Sequence, residues 1–119
     1  MVMIPEMEQM FMTQTFSSLY EYIESMKERL GMEHHTDKSF ETTKALVTRY
    51  RKYIGQMRDA AMECKTWEDM ARLIENRISS ADDTPADRID MAFNMMRDEY
   101  LISAYNYCMQ QIQEVDDGE

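Results

Sequence analysis

Residues 84–115 read TPADRIDMAFNMMRDEYLISAYNYCMQQIQEV, and this stretch decides the fold class. Thr84 is placed to cap the first helical amides, Pro85 suits the first helical position, and Asp87 sits where a capping box takes an acid. Apolar residues then recur at Ile89, Phe93, Met96, Tyr100, Ala104, Cys108, Ile112 and Val115. Leu101 and Tyr105 widen the same stripe, and no Gly or Pro interrupts it. The spacing predicts one long helix over 85–115 with a broad buried side, against which the remaining helices pack.

The rest of the chain continues the pattern. Met12, Phe16, Leu19, Ile23, Met26 and Leu30 alternate steps of four and three, which predicts a helix over 5–30 with a seam for a helical neighbour. Lys27 and Arg29 fall in its last turn, where cations oppose the helix dipole, and Gly31 is a left-handed C-cap. A polar loop follows from Met32 to Lys38. Asp37 or Ser39 caps a second helix over 40–64, with a seam of Leu46, Tyr50, Tyr53, Met57, Ala60 and Cys64 flanked by Val47, Ile54 and Ala61. Gly55 within it marks a bend or a close crossing. Thr66-Trp67-Glu68-Asp69 is a second capping-box pattern and opens a short helix over 67–81 whose face is Trp67, Met70, Ile74, Ile78 and Ala81. The acidic end, 114–119, is expected to fray.

The expectation is therefore a single all-α domain, a bundle of about four helices, three long and one short. Helices of roughly 40 Å are generous for 119 residues, so the subunit is expected to be elongated and to complete its core as a homodimer. Three Gly, two Pro and no alternating run of β-branched residues argue against a sheet. The fourteen Met read chiefly as adaptable core packing, because most fall on the apolar stripes. A mean hydropathy of -0.63, with no apolar run near eighteen residues, excludes a membrane span. The N-terminus has no basic region leading into an apolar one, and Cys64 and Cys108 sit on apolar stripes as small core residues, which points to the cytoplasm.

The net charge of -10 is unevenly distributed: residues 82–119 carry ten acids against two bases, whereas residues 33–64 carry five acids against six bases. The acidic end disfavours nucleic acid and anionic membranes as nonspecific partners and suits a basic protein. Its candidate partner-binding residues are Asp83, Asp87, Asp90, Asp98, Glu114, Asp116 and Asp117. Such a series can imitate nucleic-acid phosphates, although no acid occurs between Tyr100 and Gln113 unless glutamates of the first helix or a second subunit fill the gap. In composition alone the chain is similar to the acidic helical anti-defence proteins of bacteriophages, which would imply a phage or mobile-element protein acting on a nucleic-acid-binding partner. The alternative is a dimeric nucleic-acid-binding protein using Lys44, Arg49, Arg51, Lys52 and Arg58, interleaved with Tyr50 and Tyr53 on the second helix.

Enzymatic signatures are missing from the sequence. It contains no Gly-rich phosphate loop, nucleophile elbow, Cys-x-x-Cys or His-Glu-x-x-His. Glu33-His34-His35-Thr36-Asp37 offers metal-binding side chain types, but adjacent residues rarely converge on one ion without a distant ligand, so the segment reads as a solvated loop. The function expected from sequence is non-enzymatic and cofactor-free: an inhibitor or adaptor that binds a basic protein.

Overall fold

The computed structural model describes residues 5–12, 14–81 and 84–117, with side chains through residue 114. Among the described residues five α-helices run in order: α1 (Pro5–Glu8), α2 (Phe16–Arg29), α3 (Asp37–Ala61), α4 (Trp67–Ser80) and α5 (Arg88–Asp117). A single 3-10 turn, Gln9–Phe11, follows α1, and no strand occurs among the described residues. The all-helical class expected from the periodicity is what forms.

The N-terminal helix expected over 5–30 is interrupted. Met12 leaves the 3-10 turn in an extended conformation (φ -78, ψ 124), and α2 starts afresh with Thr15 as its N-cap. The Thr15 hydroxyl accepts from the Ser18 amide at 3.2 Å. Threonine competes for local backbone groups better than it propagates a helix, and this cap overrides the apolar seam that ran through it. Met12 is consequently 73% exposed and Phe16 36% exposed, whereas both were expected on the buried face. Met7 and Phe11 fold back and are buried.

The other termini shift by a few residues for reasons of capping. The cap of α3 is Thr36, whose hydroxyl accepts from the Ser39 amide at 3.1 Å, in place of the expected Asp37 or Ser39; α3 ends at Ala61, short of Cys64. Thr66 caps α4 as expected, accepting from the Asp69 amide at 3.1 Å, and the helix ends at Ser80. At the head of α5 the capping role passes from Thr84 to Asp87, whose Oδ1 accepts from the Asp90 amide at 2.8 Å. Asp90 in turn accepts from the Ala86 amide at 3.2 Å, so its carboxylate holds the residue before the cap while Asp87 caps the helix, three residues later than expected. The helix then runs to Asp117, through part of the segment expected to fray. Gly31 is the left-handed C-cap anticipated (φ +67): its amide bonds Glu28 O at 3.1 Å while the Met32 amide bonds Lys27 O at 2.8 Å.

Two buried clusters make up the core. One gathers Met7, Phe11, Ile54, Met57, Ala61, Met70, Ile74, Leu101 and Cys108 from the N-terminal turn, α3, α4 and α5. The other gathers Leu19, Ile23, Met26, Leu46, Val47, Ala92, Phe93 and Met96 from α2, α3 and α5. Tyr50 and Tyr53 of α3 pack against both and join them. Trp67, at the start of α4, meets Tyr107 late in α5 edge-to-face at 5.6 Å, so these helices run antiparallel. On α3 the flanking stripe Val47, Ile54 and Ala61 is more deeply buried than the seam residues Tyr50, Tyr53 and Ala60.

Gly55 neither breaks α3 nor sits at a close crossing. It is exposed within a continuous helix, and a Cβ there would meet nothing within 4 Å. Gly55→Ala should therefore stabilise the fold by about 0.5–1 kcal/mol, read as a rise in the denaturant midpoint at constant m-value.

Candidate functional site

The residues of the acidic set serve local structure first. Asp87 and Asp90 cap α5. Asp90 also receives Arg49 Nη1 of α3 at 2.8 Å, and that hydrogen bond, ahead of the Ala86 amide, holds its carboxyl below the ordinary aspartate range. Asp98 pairs with Arg97 at 3.0 Å, while Glu114 is exposed on the last turns of α5. Asp83 lies outside the described residues, as do the side chains of Asp116 and Asp117. The glutamates that were to fill the gap between Tyr100 and Gln113 do not act together: Glu24 is buried, and Glu8 is ion-paired with Arg58.

The basic set on α3 is largely engaged within the protein. Lys44 pairs with Glu41 at 3.0 Å and stands over the Phe40 ring, 5.2 Å from its centroid. Arg49 covers the Phe93 ring at 4.0 Å while it holds Asp90. Arg51 donates to Gln14 O at 3.1 Å, Arg58 binds Glu8, and Lys52 is exposed. Their role in the fold is to clamp the N-terminal turn and the head of α5 onto α3.

Beneath the histidine loop lies a buried polar cluster that the sequence reading missed. Lys27, fully buried, donates to Ser39 O and Thr43 Oγ1, each at 2.6 Å, and lies 3.4 Å from Glu24 Oε1. Thr43 donates to Glu24 Oε1 at 2.6 Å. Glu24 Oε2 accepts from the His35 backbone amide at 2.9 Å, a bond reached because His35 adopts a left-handed conformation (φ +61). Burial opposes ionisation of Glu24, but the bonds from Thr43, His35 and Lys27 outweigh it and hold the carboxyl below its ordinary value. The only hint in the sequence was that Glu24 and Lys27 share a face with Ile23 and Met26. His34 and His35 stack edge-to-face at 4.9 Å, and among the described residues no three His, Cys, Asp or Glu side chains gather as a metal would require.

Two surface features remain. Phe16, Tyr20 and Phe40 form a partly exposed aromatic cluster, with ring centroids 5.9–6.2 Å apart, that the interruption before α2 leaves without cover. A cavity of about 460 Å³ opens between the N-terminal turn, α2, α3 and α5, lined by Met10, Leu19, Tyr22, Tyr50, Met96 and Tyr100 among others. The N-terminal turn is fixed over it: Tyr100 Oη donates to Met10 O at 2.9 Å, and Arg51 holds Gln14 O. Both cysteines are free thiols; burial pushes Cys108 up to about 11 and raises Cys64, so neither is poised as a nucleophile. Among the described residues no helix is long and apolar enough to cross a membrane.

No protein-family model, curated protein or solved structure matches the chain. The side chains themselves must carry the functional reading.

The Glu24–Lys27 cluster makes a sharp stability prediction. Glu24→Gln and Lys27→Met should each cost about 3 kcal/mol, because each strands the other partner in the interior, and the double variant should cost less than the two together. The depressed pKa of Glu24 contributes stability that is complete above its ordinary value of 4.5 and is lost as the pH falls through the lower folded value. Acid titration of denaturation midpoints should show this loss in the wild type and a weaker one in Glu24→Gln.

Proposed function

We propose that this protein acts by binding a basic protein partner, as a non-catalytic inhibitor or adaptor, and that the Phe16–Tyr20–Phe40 cluster is the centre of the contact. The observation carrying this reading is the partial exposure of three mutually packed aromatic rings; Phe40 alone is 38% exposed. Rigid aromatic side chains contribute a disproportionate share of binding energy when a partner desolvates them. Glu21 and Glu41 are exposed on the same two helices, and the net charge of -10 supplies the long-range attraction. A phage or mobile-element origin, with a nucleic-acid-binding protein as target, fits this chemistry, as does a reducing cytoplasm for two free thiols.

The proposal includes a homodimer. The radius of gyration, 16.0 Å, exceeds the about 13.5 Å of a compact chain of this length. Met91, Ile102 and Met109, spaced by eleven and seven, fall on the side of α5 turned away from its buried residues, and all three are exposed. Ile102→Glu should convert a dimer to a folded monomer in light scattering; a wild-type monomer at all concentrations would remove this part of the proposal.

The partner contact is tested on a complex assembled with a partner captured from the native host. Phe16→Ala with Phe40→Ala should speed dissociation at least tenfold. Glu21→Lys with Glu114→Lys should slow association at least tenfold at low salt, an effect that fades at high salt. Unchanged rates in both double variants would overturn the reading.

A further inference from the structure

The cavity beside the N-terminal turn is rich in aromatic side chains. Tyr22, Tyr50, Tyr100 and Tyr107 line it, together with methionines and aliphatic side chains. Among the described residues that line it, Glu99 is the only charged one. Tyr50 and Tyr100 stand nearly perpendicular, at 87° with centroids 6.3 Å apart, and so form a corner of two aromatic walls. Tyr22 donates its hydroxyl to Glu99 and fixes the carboxylate at the rim. A volume of about 460 Å³ falls in the range of small-molecule sites.

We propose that this cavity is a binding site for a lipophilic organic cation, a planar or aromatic ammonium compound of drug-like size. Tyrosine faces attract a cation through the negative face of the ring, methionine packs against flat apolar bodies, and the carboxylate supplies the countercharge. The protein already places a cation at this carboxylate: the Arg29 guanidinium lies 3.7 Å from Glu99 Oε1. That pair is more than half exposed on both sides and is therefore weakly held. A ligand whose charge reaches Glu99 displaces Arg29 and gains the aromatic walls, which Arg29 does not need. An anionic ligand is repelled by Glu99, and a neutral one leaves the Arg29–Glu99 pair in place and gains nothing from the carboxylate. The site exists because the chain breaks before α2: Met10, Met12 and Gln14 form one wall, and the Tyr100–Met10 bond holds it in place.

The test is equilibrium titration of the full chain with berberine, a planar aromatic cation, against anilinonaphthalene sulfonate, an aromatic anion of similar size. One saturable berberine site is expected, at least tenfold tighter than any sulfonate binding. Glu99→Gln should weaken berberine at least tenfold, whereas Glu75→Gln, the same charge change at an exposed position of α4 away from the cavity, should alter it less than twofold. Arg29→Ala should tighten binding, and Ser103→Trp, which adds bulk to the lining, should weaken it at least tenfold with an unchanged far-ultraviolet circular dichroism spectrum. Absence of saturable berberine binding overturns the proposal. So does sulfonate binding of equal strength, or an equal loss in Glu99→Gln and Glu75→Gln.

Discussion

The break in the chain before α2, where the Thr15 hydroxyl accepts from the Ser18 amide, governs how this chain folds. Without it the apolar seam from Met12 to Leu30 would favour one uninterrupted helix, carrying Met7 and Phe11 away from the bundle along its axis. With it, the chain turns before Phe16, and the N-terminal turn lies back against α3 and α5. Burial of Met7 and Phe11, the Arg58–Glu8 pair, the Arg51–Gln14 bond and the Tyr100–Met10 bond all follow from that reversal. A single cap is worth only about 1 kcal/mol, so the decision is made by the side chains that the reversal lets into the core.

A second constraint acts at the opposite end of α2. Burying Lys27 would be prohibitive if it were alone, since an isolated ammonium cannot leave water without a large cost. Two short oxygen contacts and the Glu24 carboxylate satisfy it, and Glu24 is completed by the amide of His35, which stands in the left-handed region. The turn between α2 and α3 is thereby locked from within, and Arg88 Nη1 adds a bond to Gly31 O from the head of α5 at 3.1 Å. The two cores are then held in one molecule by Tyr50 and Tyr53, whose hydroxyls burial keeps firmly protonated.

Much of this was legible in the sequence. The 3.6-residue period gave the helices of α3, α4 and α5 nearly in full, and Gly31 and Thr66 performed the terminal roles their chemistry suggests. Periodicity failed at Met12 because a stripe records which residues can share a face, whereas a competing threonine cap is a local event with no period. The buried cluster was unreadable for a related reason. Glu24 and Lys27 have the spacing of an exposed ion pair, and only the approach of Ser39 and Thr43 from another helix makes their interior position tolerable. The bases of α3 and the acids around α5 were each read as a surface, yet Arg49 and Asp90 meet each other across the bundle, and charge counted along a chain cannot show which charges meet in space.

The interrupted N-terminus is the claim on which the cavity, the exposed aromatic cluster and the buried cluster holding Met7 and Phe11 all rest. Backbone carbon chemical shifts and proton–proton contacts by nuclear magnetic resonance test it directly. The account predicts helical shifts across Phe16–Arg29, an extended shift at Met12, and contacts between the Tyr100 ring and Met10. Continuous helical shifts from Glu6 to Arg29, with no contact between Tyr100 and Met10, would contradict it.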